Sequence, residues 1–211
     1  MYELISATPS PYARKVRIAL IEKGLPFTLR TEIPWHADTA TPAYNPLEKL
    51  PVLVLPDGSG IYESRFILEW LEVMHPTPAL LPRDPRLALK ARQVEVIADG
   101  ICDATVLLFF ERRRGQPSEP WMARQRRKVD GGVAALARLA AEAGEGWLAG
   151  DAFGLAEIAA GTVLGYLALR FAEHPWRERF PALTRLHARL EARPSFAATR
   201  PAPQSIAEAV V

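Results

Sequence analysis

The segment Ser-Pro-Tyr at residues 10–12 places a hydroxyl side chain where an apolar stretch gives way to a basic, helical pattern. Pro11 suits the first position of a helix, because its missing N–H would have no partner there. Ser10 then falls at the N-cap, where its hydroxyl can accept a hydrogen bond from the helix backbone or be presented to a reacting group. Thr8 is a second hydroxyl at the same junction. The residues alone leave both roles open.

A second polar pair, Glu63 and Ser64, lies at the predicted start of another helix. Ser64 is predicted to cap this helix, and an apolar stripe along the helix ends before Pro76. Free N–H groups and the helix dipole favour a bound carboxylate at such a terminus. A plain N-cap beside a solvated glutamate explains the same pair.

Leu50 and Pro51 open a β-rich run at residues 50–55. A proline is tolerated at the entrance of a strand, because the lost N–H donor matters least there. An ordinary trans proline is the commoner form at such a position. Lys49 precedes the run. Its side chain can pair with an anion, or it can be an ordinary solvated lysine.

The elements that must position these residues follow from the hydrophobic pattern. A β-α-β unit is predicted up to residue 33 and a β-β-α unit up to residue 75. The segment 76–86 carries four prolines, which is typical of a stiff linker. Helical patterns then occupy 87–114, 119–142, 154–170 and 181–193. The sequence therefore predicts an α/β domain over 1–75, a linker over 76–86 and an all-helical domain over 87–211.

Composition excludes several classes of function. The 211 residues are 49% hydrophobic and carry a net charge of +2, less than a dedicated nucleic-acid binder usually has. Arginine-rich stretches at 112–114 and 124–128 lack interleaved aromatic residues, so we interpret them as solvated helix ends. Cys102 is the only cysteine, which excludes an intramolecular disulfide and a thiolate zinc cluster.

Cofactor and membrane signals are also missing from the sequence. The four histidines are scattered without metal-site spacing, and no P-loop or dinucleotide motif is present. No metal and no nucleotide are therefore expected. The N-terminus lacks a secretory pattern and no apolar run is long enough for a membrane span. We expect a soluble, cytoplasmic protein with no membrane or nucleic-acid partner.

Several short motifs, in this order and spacing, give the chain a resemblance to the cytosolic glutathione transferases, in particular to small bacterial members of the serine type. The motifs are Ser-Pro-Tyr-x-Arg-Lys-Val-Arg at 10–17, Asn-Pro-x-x-Lys-Leu-Pro-Val-Leu at 45–53, Glu-Ser at 63–64, Trp-Leu-Ala-Gly-Asp at 147–151 and Arg-Pro-Ser-Phe at 193–196. The resemblance implies a thioredoxin-like N-terminal domain that binds glutathione and a helical bundle that contributes the second-substrate pocket.

The resemblance implies a catalytic role for Ser10. A glutathione thiol near the reference cysteine pKa of about 8.5 is mostly protonated at neutral pH, whereas the thiolate is the nucleophile. A hydroxyl that donates to the sulfur anion contributes about 1.5 to 3 kcal/mol, or roughly one to two pKa units. Thr8 is the rival hydroxyl, and a simple helix cap at Ser10 is the alternative.

The resemblance also assigns the parts of glutathione. Pro51 is expected to be a cis proline that exposes the backbone of Leu50 to the cysteinyl part. Glu63 would match the α-amino group of the γ-glutamyl part, and Ser64 would hold its α-carboxylate. Lys49 is the expected partner of the glycyl carboxylate.

The implied second-substrate pocket is lined by Tyr12, Trp35, Asp103 and Phe109, although the aromatic members could equally be core residues. The implied activity is conjugation of glutathione to an electrophile, or peroxide reduction, in detoxification. A glutathione-binding scaffold protein with little turnover is the alternative. A homodimer is also implied, and small residues at Ala98, Gly100 and Ala104 would permit close helix approach.

One position departs from the family pattern. Relatives usually place a Ser or Thr and an Asp in a capping box at the start of the helix near residue 154, whereas this chain has Gly154 and Glu157. Gly154 has no side chain that could cap the helix. We therefore expect a weak point in local stability here, without consequence for the active site.

Overall fold

The computed structural model describes residues 1–206, which divide into two compact units. The first unit comprises Met1–Leu80 together with the segment that starts at Pro194, and the second comprises Leu81–Arg193. The predicted division had residues 87–211 in a single helical domain. In the structure, the segment from residue 194 groups instead with the N-terminal unit.

The first unit is built on a mixed four-stranded sheet, which confirms the thioredoxin-like fold. Its strands are β1 (Tyr2–Ser6), β2 (Phe27–Thr31), β3 (Val52–Val54) and β4 (Gly60–Tyr62), and their order in the sheet is β2-β1-β3-β4. β1 and β2 are parallel, whereas β1 and β3, like β3 and β4, are antiparallel.

Two helices and one 3-10 turn follow or connect these strands within Met1–Leu80. Helix α1 (Pro11–Glu22) connects β1 to β2, the 3-10 turn covers Thr41–Ala43, and helix α2 (Ser64–Met74) follows β4. Both helices bury an apolar face, which is why the period of their hydrophobic residues could be recognised in the sequence. The predicted glutathione-binding residues lie in the loops between these elements and at the first residue of α2.

The second unit is helical. Its elements are α3 (Pro85–Glu111), α4 (Glu119–Ala143), α5 (Leu155–Arg170), α6 (Trp176–Arg179) and α7 (Pro181–Glu191). Helix α5 is buried at every residue from 155 to 167, so it forms the centre of this unit. Gly132 of α4 lies so close to Ile101 of α3 that an added Cβ would be 2.4 Å from that side chain. Within the described residues, no helix combines the length and apolar character that a membrane span requires.

The start of α5 is stabilised by Glu157 instead of by a capping hydroxyl. Its carboxylate accepts hydrogen bonds from the backbone N–H groups of Leu148 (2.6 Å) and Gly154 (2.9 Å), and the side chain is buried. Burial raises the pKa of Glu157, although the two N–H donors act in the opposite direction. The expected weak point at Gly154 is therefore compensated, because the carboxylate satisfies the donor of Gly154 and fixes the preceding loop.

The C-terminal segment joins the first unit through α1. Its short helix α8 (Pro194–Ala197) supplies the carbonyl of Phe196, which accepts from Nη2 of the buried Arg14 at 3.1 Å. The hydroxyl of Ser195 donates to the carboxylate of Glu22 at the other end of α1. These polar contacts to both ends of α1 explain why the segment belongs to the N-terminal unit.

Candidate functional site

Ser10 lies at the N-cap of α1, as the sequence predicted. Its Oγ accepts a hydrogen bond from the N–H of Ala13 at 3.2 Å, so the capping role is filled. A hydroxyl in this role still has its own proton to donate. Among residues 1–206, that proton has no hydrogen-bond acceptor. Ser10 can therefore cap the helix and donate a hydrogen bond to a ligand atom at the same time. Thr8, the second hydroxyl at this junction, lies half-buried in the turn before Ser10.

The loop that leads to Pro51 is held by Asn45. This side chain is fully buried, its Nδ2 donates to the carbonyl of Lys49 at 2.8 Å, and its Oδ1 accepts from the N–H of Leu47 at 2.9 Å. The peptide bond between Leu50 and Pro51 is cis, which confirms the expectation for Pro51. Asn45 belongs to the motif at 45–53, and the sequence predicts no role for it. An asparagine directly before a proline was the available signal.

Lys49 and Leu50 occupy different environments in this loop. The Lys49 side chain is exposed, and no carboxylate among the described residues pairs with it. Leu50 is partly buried and packs against a cluster that includes Ile5 and Val52. The backbone of Leu50 is therefore fixed by packing, whereas the charge of Lys49 is available to solvent.

The N-terminus of α2 differs from the prediction in its capping residue. Glu63 is the N-cap, with extended backbone and an Oε1 that accepts from the N–H of Arg65 at 3.1 Å. Ser64, predicted to be the cap, is already the first helical residue, because β4 remains extended up to Tyr62 and the turn into the helix falls at Glu63. One carboxylate oxygen of Glu63 thus serves the helix.

Ser64 is the most unusual polar residue of this region. It is only 1% exposed, and its Oγ has no hydrogen-bond partner among the described residues. A buried polar atom without a partner costs about 1 to 3 kcal/mol, so native proteins seldom keep one without a reason. Its position in the first turn of α2, where backbone N–H groups other than that of Arg65 lack intrahelical partners, is suited to an anionic ligand.

The strand register brings these three segments to one edge of the sheet, namely the edge at which β1 and β4 end and β3 begins. Ile5 near the C-terminal end of β1 is paired with Val52 at the start of β3, and Val52 is paired with Tyr62 at the end of β4. The loop that carries Ser10, the loop before Pro51 and the turn at Glu63 therefore leave the sheet side by side. Residues more than fifty positions apart in sequence are brought together in this way.

The predicted second-substrate residues are divided between the two units. Tyr12 is half-buried on α1, and Trp35 is 44% exposed in the loop after β2. Asp103 is exposed on α3 and Phe109 is half-buried on the same helix. The pocket itself stays a prediction.

Among the described residues, no group of three or more His, Cys, Asp or Glu side chains could hold a metal ion. Cys102 is buried on α3 and belongs to the second unit. The polar groups at the sheet edge are hydroxyls, backbone amides and a carboxylate, which are suited to binding an amino-acid-like or peptide-like molecule.

Two family models match the chain. Residues 9–74 match the N-terminal domain of glutathione S-transferase, and residues 119–189 match its C-terminal domain. The first match contains Ser10, Pro51, Glu63 and Ser64. The three segments at the sheet edge thus lie within one recognised domain.

Individual proteins are similar over nearly the whole chain. A solved glutathione S-transferase of Methylobacterium radiotolerans, in complex with glutathione sulfonate, is 61% identical, has a TM-score of 0.97 and is matched over 100% of this chain and 99% of its own. The GST-like protein YibF of Escherichia coli K12 is 38% identical over 94% of this chain and 98% of its own length. A maleylacetoacetate isomerase of Pseudomonas aeruginosa is 32% identical, over 90% and 91% respectively.

Proposed function

Because the chain belongs to the glutathione S-transferase family, we propose that it binds glutathione and activates the thiol for conjugation to an electrophile or for peroxide reduction. The observation that carries this proposal is the buried, unpartnered hydroxyl of Ser64 at the N-terminus of α2. That hydroxyl lies at the same sheet edge as Ser10 and the cis bond before Pro51.

Each part of glutathione has a matching group in the first unit. The γ-glutamyl carboxylate binds the Ser64 hydroxyl and the free N–H groups of α2. The second carboxylate oxygen of Glu63 receives the α-ammonium, since only Oε1 is used by Arg65. The backbone of Leu50 pairs with the cysteinyl part like an added strand, and the exposed Lys49 attracts the glycyl carboxylate.

The thiol then lies near the start of α1. The Ser10 hydroxyl donates a hydrogen bond to the sulfur, and the thiol proton is released to solvent. The positive end of the helix dipole also favours the resulting thiolate. The thiolate attacks the electrophile, a carbon–sulfur bond forms, and the leaving group departs with its electron pair. Thr8 is the alternative donor, and its variant separates the two hydroxyls.

The relatives support glutathione as ligand more directly than they support one reaction. The Methylobacterium protein was solved with glutathione sulfonate. The relative from Pseudomonas aeruginosa is an isomerase by name, so the family does not fix the reaction. The retained set of Ser10, Pro51, Glu63 and Ser64 favours transfer over a scaffold role, because a scaffold does not need these residues together.

Calorimetric titration with glutathione tests binding. Ser64→Ala is expected to weaken binding about tenfold to a hundredfold, since a hydrogen bond to a charged group contributes about 1.5 to 3 kcal/mol. The matched control is Ser59→Ala, which removes a hydroxyl that donates to Asp57 in the turn between β3 and β4. Equal affinities of the parent and Ser64→Ala would contradict the assignment.

Turnover is measured separately from binding. The parent chain is expected to conjugate glutathione to 1-chloro-2,4-dinitrobenzene with release of chloride. If glutathione binds but this and peroxide substrates are not converted, the scaffold alternative replaces the transferase.

A further inference from the structure

Phe109, near the C-terminus of α3, has two guanidinium groups against its ring. The Cζ of Arg113 lies 3.7 Å from the ring centroid, and the Cζ of Arg170, the last residue of α5, lies 4.3 Å from it. The two Cζ atoms are consequently no more than about 8 Å apart. Two like charges are thus concentrated around one aromatic side chain within the second unit.

Neither of these arginines has a carboxylate partner among residues 1–206. Nε of Arg170 is also buried and makes no hydrogen bond to a described residue. The flanking arginines are different. Arg112 pairs with Glu173 at 3.0 Å, and Arg114 pairs with Glu111 at 3.1 Å. Glu173 and Glu111 are therefore engaged with other arginines, and no carboxylate within the described part of the chain pairs with the two arginines at Phe109.

Tyr166 completes the surroundings of Arg170. It is 5% exposed, and its hydroxyl interacts with the Arg170 side chain. Burial, with a smaller effect of Cys102, raises the pKa of Tyr166 to about 12. Tyr166 consequently stays neutral at physiological pH and offers a polar oxygen without the negative charge that would neutralise its neighbour.

A guanidinium that is partly desolvated and lacks a counter-ion is suited to an anion. Arginine presents its N–H donors in a planar fork that fits a carboxylate, and a stacked aromatic ring restricts its rotamers. Helix C-termini also favour cations, which explains arginines at the ends of α3 and α5. The dipole does not explain why two of them converge on one ring without a carboxylate.

We propose that the second substrate of this protein carries a carboxylate, which Arg113 and Arg170 bind beside the ring of Phe109. This inference rests on the proposed transferase function, in which Phe109 lines the second-substrate pocket. Arg113 and Arg170 are then specificity-determining residues that select anionic electrophiles over neutral ones of the same shape. The aromatic ring provides the apolar contact for the body of the substrate.

The kinetic test uses a matched pair of electrophiles. 4-Chloro-3-nitrobenzoate and 4-chloro-3-nitrobenzamide have the same shape, and the glutathione thiolate displaces chloride from either one, forming a carbon–sulfur bond. The ratio of their kcat/KM values is compared among variants, so their intrinsic reactivities cancel. Arg113→Met and Arg170→Met are expected to lower the benzoate-to-benzamide ratio about tenfold or more. Arg114→Met, which removes a neighbouring arginine that is already paired, should leave the ratio unchanged.

A binding test makes the inference independent of turnover. The unreactive pair 3-nitrobenzoate and 3-nitrobenzamide is titrated into the parent chain without glutathione and followed by ligand-observed NMR. The parent should prefer the benzoate, and Arg113→Met should lose this preference. Arg113 is exposed at the surface, so we expect Arg113→Met to fold like the parent chain. Arg170 is half-buried, so the stability of Arg170→Met is checked by thermal unfolding.

The outcomes distinguish this inference from the proposed function. Conjugation of the benzamide with a ratio unaffected by either arginine variant would overturn the anion site and leave the transferase intact. If neither electrophile reacts, and 1-chloro-2,4-dinitrobenzene and peroxide substrates are not converted either, the transferase proposal fails, and the nitrobenzoate titration decides the site. A benzoate preference that Arg113→Met abolishes supports the site, whereas no preference overturns it.

Discussion

At the scale of single residues, the capping hydrogen bond of Ser10 is compatible with the chemical role that we propose for its hydroxyl. The capping hydrogen bond from Ala13 uses an oxygen lone pair, and the proposed donation to sulfur uses the proton. A sequence can identify the cap position from Ser-Pro, but it cannot show that the proton has no acceptor among residues 1–206. That observation depends on the three-dimensional surroundings of the hydroxyl.

We expect Ser10→Ala to raise the pKa of the bound glutathione thiol by roughly one to two units, because a donor to the thiolate is lost. The measurement is the pH profile of kcat/KM for the electrophile with glutathione at saturation. Glutathione affinity should change little, since the γ-glutamyl contacts at α2 remain. Thr8→Ala is the control. A shift in Thr8→Ala with none in Ser10→Ala would transfer the role to Thr8.

Asn45 is a second residue whose importance depends on contacts. Its amide bridges Lys49 and Leu47, and thereby supports the loop before Pro51. Asn45→Ala should weaken glutathione binding and lower the free energy of unfolding by about 1 to 3 kcal/mol, since two backbone groups lose their partner. Titration calorimetry and urea unfolding measure the two effects. Normal affinity would show that the loop does not need this support.

At the scale of elements, Glu157 connects the start of α5 to the preceding loop. Glu157→Ala removes the acceptor of two backbone donors, so we expect a loss of roughly 2 to 4 kcal/mol in the free energy of unfolding. Glu178→Ala, an exposed glutamate of the same unit, is the matched control for urea unfolding. A similar small effect of both substitutions would refute the structural role.

The same carboxylate gives a pH-dependent prediction. Its pKa is raised in the folded state by burial, so the folded chain binds its proton more tightly than the unfolded chain does. Relative to Glu157→Gln, the parent should therefore lose stability as pH rises from about 4.3, the unfolded value, through the folded pKa. Above that pH window, the difference in the free energy of unfolding between the parent and Glu157→Gln should be constant. An opposite slope would mean that the backbone donors outweigh burial.

Regular elements were the most predictable feature of the sequence. The helical pattern predicted at 154–170 corresponds to α5, and that at 87–114 corresponds to α3 (Pro85–Glu111). The earlier start of α3 was missed because Pro85 was counted with the linker, although Asp84 caps the helix through its Oδ1. The position of α8 against α1 was not predictable, because Arg14 and Phe196 are brought together by long-range folding.

At the scale of the whole molecule, we propose a homodimer. Ala98 and Ala104 are buried within the second unit, so they pack inside the chain and do not support an interface, whereas Gly100 is exposed. Better support comes from large apolar side chains that remain exposed on two helices, namely Phe66, Val73 and Met74 on α2 and Leu89, Val96 and Leu107 on α3. Exposed apolar side chains contribute to an interface where they form a contiguous patch, so these residues are the candidates for one.

Light scattering at micromolar concentration should therefore give about twice the 23.4 kDa mass of one chain. Val96→Glu is expected to shift the mass towards the monomer, because a charge would be buried at the interface. Glu178→Ala serves again as a surface control. A parent that already has the mass of one chain would exclude the dimer.

The central claim, that this chain binds glutathione and favours its thiolate, is tested most directly by the ultraviolet absorbance of the thiolate as a function of pH. The parent is titrated with glutathione present at a concentration that saturates it, and free glutathione is titrated in parallel. We predict that the bound thiol ionises at a pH roughly one to two units below that of the free thiol. Identical titration curves for bound and free glutathione would contradict the account.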